Sequence, residues 1–328
     1  MESGYKRVGK NTGSGKSGRP TLSYLVLTVK GFCMGAADVV PGVSGGTMAL
    51  ILGIYEDLIG AIRSLDLKFL RSLFSLKIRK AMNDARWQFL LALGLGILMA
   101  IFSLAKALSW TLHNRPVLIW SFFFGLITAS IFTVGRQLQK RDISMIKWFA
   151  LGVIGTYLLV GMVPLSTPTA PWFLFLSGAI AICAMILPGI SGAFILVLLG
   201  KYAYVLEAVN NRDFLTLFLL AAGAGVGLIA FSHFLGWLLR KYHDLTIALL
   251  CGLMLGSLRK IWPWKKALEN IPDPEGKAVV IKQVNVLPPG WDGEFLLALG
   301  CVLLGFFIVL MLHFWAKRKE EAVPKEIR

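Results

Sequence analysis

Long apolar runs alternate with short polar segments along the chain. Six of the runs are long enough to cross a bilayer as helices: residues 87–110, 116–135, 146–163, 213–239, 245–262 and 293–315. Such a crossing takes about 20 helical residues. Two further apolar segments, 21–62 and 172–206, are interrupted, each dividing into arms of about 16 to 18 residues around PGVSGG (41–46) or PGISGA (188–193). Pro-Gly followed by small residues breaks a helix and permits a tight turn. The pattern predicts two re-entrant helical hairpins, the first with arms 21–38 and 47–62. Lipid cannot satisfy the amides of a turn, so both tips are expected to face protein or a wet cavity.

The two interrupted segments are copies of one another. Pro41, Gly42, Ser44, Gly45, Leu52, Gly53 and Tyr55 recur 147 residues later as Pro188, Gly189, Ser191, Gly192, Leu199, Gly200 and Tyr202. Downstream, Gly94, Gly96, Phe102 and Ser103 match Gly223, Gly225, Phe231 and Ser232, and Gly125, Leu126 and Ser130 match Gly252, Leu253 and Ser257. One hairpin and three full spans make up each half, and an odd number of crossings inverts the second half relative to the first. The expected fold is an all-α polytopic membrane protein with an inverted-topology repeat. Residues 1–20 form a basic leader, 21–163 and 164–316 the two repeats, and 317–328 a tail. Inverted repeats with broken helices are a transporter architecture.

Composition agrees with a membrane protein: 56% of the 328 residues are hydrophobic and only 16% charged, outside the usual range of soluble domains. The net charge of +16 would suggest nucleic acid in a soluble domain. Here the cations cluster between apolar runs, and the expected partner is instead the anionic lipid surface. With the N-terminus inside, segments 1–20, 63–86, 136–147, 240–244 and 317–328 carry five, seven, four, two and five Lys or Arg. The intervening outside segments 111–115, 164–171 and 207–213 carry one, none and one. This bias places both termini in the cytoplasm. Segment 259–292 departs from it, with Arg259, Lys260, Lys265, Lys266, Lys277 and Lys282 on the outside. GSGKS (13–17) echoes a phosphate-binding loop, but Lys10 replaces its first glycine and no strand precedes it, so it reads as linker. Cys33, Cys183, Cys251 and Cys301 show no metal or disulfide spacing and read as packing residues.

The polar residues at membrane depth carry the candidate chemistry. A helix beginning at each tip points free amides and its positive dipole end into the membrane, where an anion can sit. Ser44, Gly45, Gly46 and Thr47 in the first tip, with Ser191 and Gly192 in the second, are the predicted binding groups for a phosphate or carboxylate. Tight packing of small residues is the bland alternative, and it does not require the serines. Asp38 is an acid within an apolar arm, a costly position that points to function, here a coupling proton or sodium ion. Its counterpart in the second hairpin is Met185. Glu56 and Asp57 are expected at the interface. Lys30 and Arg259 are the predicted cationic partners of the anion, Arg259 because guanidinium matches phosphate geometry. Lys106, Lys201 and Arg240 are expected to snorkel to the headgroups. His233 reads as a satisfied core histidine, and no residue set suggests a resident metal.

KGFCMGAADVVPGVSGGTMALILGIYEDL, ILPGISGAFILVLLGKY and CGLMLGSLRKIWPW resemble the polyprenyl-phosphate transporter family PopT, over about residues 28–315. The family motif falls on Asp38, Pro41, Gly42, Ser44, Gly45, Gly46 and Thr47, then on Pro188, Gly189, Ser191 and Gly192. Ala193 stands where relatives often have a small polar residue. The resemblance implies translocation of undecaprenyl phosphate, the lipid carrier of bacterial cell-wall synthesis, from the outer to the inner leaflet of the plasma membrane. It implies a transporter rather than an enzyme. From the residues alone, a secondary transporter of a small organic anion suits the paired tips equally well. A membrane enzyme on lipid phosphates lacks the catalytic clusters it would need, and a scaffold or insertase would not need the two serines.

Overall fold

The structure is a computed structural model and describes residues 21–40, 43–65, 86–136, 142–165, 167–272 and 278–321, with positions 69, 75 and 138. The basic leader with its GSGKS, Pro41, Gly42 and the last residues of the tail lie outside the described residues. The first half comprises α1 (Thr21–Asp38), α2 (Gly45–Ile51), α3 (Tyr55–Arg63), α4 (Trp87–Asn114), α5 (Pro116–Gly135) and α6 (Ile143–Gly161). The second comprises α7 (Pro171–Ile186), α8 (Gly192–Leu198), α9 (Tyr202–Asn210), α10 (Phe214–Lys241), α11 (His243–Ile261) and α12 (Gly293–Glu321). Between α11 and α12 an antiparallel hairpin pairs β1 (Lys265–Pro272) with β2 (Ala278–Asn285).

Element lengths repeat between the halves. α2 and α8 each have 7 residues, α3 and α9 each have 9, and α4 and α10 each have 28. Within each half the first helix packs on the fourth, α1 on α4 and α7 on α10. Across the halves the last helices exchange partners, so that α5 packs on α12 and α6 on α11.

Lipid tails are as apolar as leucine, so the hydrophobic effect drives little helix association in a membrane, and close backbone approach at small residues takes its place. The exchanged pairs show this. A Cβ on Gly125 of α5 would stand 1.9 Å from Val302 O of α12, and one on Gly252 of α11 would stand 2.2 Å from Phe149 O of α6. These two glycines are counterparts in the repeat. The outward faces are apolar, with Phe102, Phe218 and Leu297 exposed, as a surface in contact with lipid requires.

Among the described residues, five helices are long and apolar enough to cross a membrane: α4, α5, α6, α10 and α12. α11, the remaining predicted span, has 19 residues but carries Asp244, Arg259 and Lys260 in its end turns. The chain is a multi-pass α-helical membrane protein.

Three expectations need correction. The arm 47–62 is not one helix: α2 and α3 meet at a bend of 119°, where Gly53 adopts φ +67°. A side chain at that φ would be strained, so the glycine of LGIY marks a second break. Its counterpart Gly200 adopts φ +63° at a bend of 104° between α8 and α9. Lys201 does not snorkel. It is 2% exposed, and its Nζ donates to Thr167 O at 2.7 Å, since the bend turns the side chain toward the 162–170 connection. Lastly, segment 259–292, expected only as a connection between spans, holds β1 and β2, the second rich in the β-branched residues that favour strands (AVVIKQVN).

Gly125→Ala is expected to destabilise the protein by about 1–3 kcal/mol, because an added methyl overpacks the α5–α12 contact. Gly155→Ala on α6, where a Cβ meets nothing within 4 Å, is expected to be neutral or stabilising. Thermal unfolding of the two purified variants checks the contrast.

Candidate functional site

The site is the junction of the two tips. α7 ends at Ile186 with Leu187 as its C-cap, whose N–H takes Ala184 O, leaving the carbonyls of Met185 and Ile186 without helical partners. Water would satisfy them in a soluble protein. Here the first hairpin does so. Ser44 Oγ donates to Met185 O at 2.9 Å and reaches Leu187 O at 3.3 Å. The Tyr55 hydroxyl, at the start of α3, donates to Ile186 O at 3.2 Å. In the other direction, the Gly189 N–H of the second tip donates to Thr47 Oγ1 at 2.9 Å. The two broken segments are therefore bonded to each other, and Ser44 and Thr47 are fully buried at the contact.

Glycine permits this approach. A Cβ on Gly46 would stand 2.4 Å from Ile186 O. Gly189 takes φ +89°, and a Cβ there would meet Leu253 O, Met254 Cα and Ser257 Oγ at 3.0 Å, which ties the second tip to α11. The counterpart of Gly46 is Ala193, which is exposed. The departure from the repeat follows: only the first tip has to abut a backbone at this position.

The tips differ in how their amides are used. In the first, Asp38 Oδ1 accepts from Gly45 N at 2.7 Å, and Ser44 Oγ accepts from Gly46 N at 3.1 Å. Asp38 approaches so closely that a Cβ on Gly45 would stand 2.5 Å from Oδ2. A carboxylate of the chain itself thus occupies the place predicted for a bound anion. In the second tip, Ser191 is the N-cap of α8 but makes no side-chain cap bond, and it is half-buried. Gly192 is packed on Ala181, with the Ala181 O at 2.8 Å from a built Cβ.

Ser44, Gly45, Gly46, Thr47 and Asp38 are thus brought together with the end of α7 and Gly189, three residues before Gly192. Lys30 and Arg259 make other contacts. Lys30 Nζ donates to Leu52 O at 2.8 Å, at the C-terminal end of α2. Arg259 Nη1 donates to Tyr157 O at 3.0 Å, with its guanidinium 4.2 Å from the Tyr157 ring centre, so it is docked on α6. His233 Nδ1 lies 2.9 Å from Ile229 O, one turn back on its own helix. Glu56 and Asp57 are exposed and contact His243 and Arg86. Tyr55 was not anticipated, although its recurrence as Tyr202 in the repeat was the signal that could have found it.

Broken helices meeting inside a helical membrane bundle, with a repeated internal architecture, define a membrane transport protein. The chain belongs to the family described as VCA0040-like, undecaprenyl phosphate translocase-like, whose model matches residues 34–279. It is 43% identical over 304 residues to a polyprenyl-phosphate transporter of Vibrio cholerae, covering 91% of this chain and 99% of that protein. It is 32% identical over 254 residues to a polyprenyl-phosphate transporter of Staphylococcus aureus, covering 72% of this chain and 85% of that one. No solved structure matches the chain. The family and these relatives are transporters, not enzymes.

Thr47→Val keeps the shape of the side chain and removes the acceptor for Gly189 N–H. Leaving a buried donor unsatisfied costs about 1–3 kcal/mol, so the variant is expected to unfold at lower temperature. Ser191→Ala, with no bond to lose among the described residues, is expected to unfold with the wild type.

Proposed function

We propose that this protein translocates undecaprenyl phosphate from the outer to the inner leaflet of the bacterial plasma membrane, returning the lipid carrier for further use in cell-wall synthesis. The near-full-length match to proteins named polyprenyl-phosphate transporters carries this reading. The two halves are inverted repeats and each begins with a re-entrant hairpin. Both termini are cytoplasmic, and anionic lipids surround the basic inner surface. The isoprenoid tail stays in the bilayer while only the charged head needs shelter.

The headgroup passes the tip junction, sheltered by Ser44, Gly45, Gly46 and Thr47 on one side and by Ser191 and Gly192 on the other. Lys30, beside the first hairpin, and Arg259, at the far end of α11, carry positive charge on the two approaches. What supports this path is the contact between the tips and the uncapped hydroxyl of Ser191.

Bringing an anion inward against an inside-negative potential costs about 2.3 kcal/mol per charge per 100 mV. A cation travelling with it offsets that cost. Asp38 is the coupling residue: when it takes a proton, or turns to a sodium ion, it releases the Gly45 N–H to the headgroup. The carboxylate and the phosphate then compete for one backbone donor, which links the two.

Outer-surface display of undecaprenyl phosphate in cells tests the function. Cells lacking the protein should accumulate it, and wild-type protein should clear it. Ser191→Ala at equal abundance should clear it about ten- to a hundredfold more slowly, the effect of losing a hydrogen bond to a charged group. Clearance at the wild-type rate removes Ser191 from the path. Asp38→Asn should abolish the dependence of transport on pH or sodium, and an unchanged dependence removes Asp38 from coupling.

A further inference from the structure

Residues 259–266 carry Arg259, Lys260, Lys265 and Lys266, in the segment that departs from the charge bias of the other connections. Three of these four are folded onto aromatic rings rather than left in a loop. Besides Arg259 on Tyr157, the Lys260 Nζ lies 4.9 Å from the centre of the Phe194 ring, and the Lys265 Nζ lies 4.4 Å from that of Trp120. Lys265 Nζ also donates to the Lys260 carbonyl, so the two lysines are tied together at the end of α11. Among the described residues the ion pairs are Arg86 with Asp57, and His243 with Glu56 and Asp244. Neither lysine has an acidic partner among the described residues.

A helix end explains part of this. A cation near a helix C-terminus is favourable, and the Lys265 amine satisfies one orphan carbonyl. One lysine would suffice for that. Lys260 adds a second half-buried positive charge whose Nζ makes no hydrogen bond among the described residues. Burial, and then the charge of Lys260, push the Lys265 amine down to about 7. Two like charges desolvated together destabilise each other, and an anion placed between them reverses the sign.

We propose that Lys260 and Lys265, held over the Phe194 and Trp120 rings, form a binding site for a phosphate-type anion beside the second tip. Phe194 lies in the first turn of α8, three residues after Ser191, so an anion held here is next to the uncapped tip. Lysine amines are compact point charges with three donors each and suit a phosphate that must leave again. The site receives the headgroup from the outer leaflet before it reaches the junction, an assignment that rests on the transport reading above. The affinity for phosphate does not rest on it.

Binding to protein in lipid nanodiscs, titrated with a water-soluble short-chain prenyl phosphate and separately with inorganic phosphate, tests the proposal. Lys260→Gln should weaken prenyl phosphate binding about tenfold or more, while Lys260→Arg should stay within a few-fold of wild type. Inorganic phosphate that competes in wild type but not in Lys260→Gln shows that the headgroup alone is read. Inorganic phosphate that competes in neither overturns the reading of the site as one for a phosphate-type anion. Because the Lys260 amine holds no structural hydrogen bond, Lys260→Gln should unfold with the wild type, whatever becomes of Lys265→Gln. Wild-type affinity in Lys260→Gln alongside weakened binding in Ser191→Ala overturns the lysine site and leaves the transport reading standing. No binding of prenyl phosphate by wild type overturns both.

Discussion

A helix that stops inside a membrane leaves carbonyls and amides that lipid cannot satisfy. In this protein two helices stop at a break, α1 at Asp38 and α7 at Ile186, and the rest of the structure follows from how those ends are satisfied. The hydroxyls of Ser44 and Tyr55 take the last carbonyls of α7, and Thr47 takes the amide of Gly189. The two breaks complete one another. Small residues at 45, 46 and 189 are the condition for that, since a methyl at any of them meets neighbouring atoms within about 3 Å.

This mutual capping makes the tips unequal. The first is buried, with its amides bonded to Asp38 and Ser44. The second keeps an uncapped Ser191 and an exposed Ala193. An acid belongs only with the first tip, which explains why the repeat has Met185 where it first had Asp38: Met185 offers its carbonyl to Ser44 instead. A pseudo-symmetric frame thus carries an asymmetric centre, with one side closed by the chain's own carboxylate and the other uncapped at its serine.

Much of this was legible in the residues. The spans followed from hydropathy, the duplication from the repeated PG(V/I)SG and LG(I/K)Y, and the serines and glycines of the tips from their pairing. What escaped depended on direction rather than composition. Gly53 looked like one more small residue until its positive φ turned the arm by 119°. Lys201 looked like a snorkelling cation until that kind of bend buried it. Arg259 and Lys260 are adjacent in sequence yet project from different sides of α11, one onto Tyr157 and the other onto Phe194, and choosing between them needs the packing of α6 and α8. The strands after α11 were hidden by the charge that dominates the segment.

The most direct test of the account is a cryo-electron microscopy structure of the protein in lipid nanodiscs, in which the disc itself marks the depth of every residue. The account predicts that the Thr47 hydroxyl and the Gly189 amide lie within hydrogen-bonding distance near the middle of the bilayer, with Ser44 on the end of α7. Tips standing apart, or joined at the level of the headgroups, would contradict it.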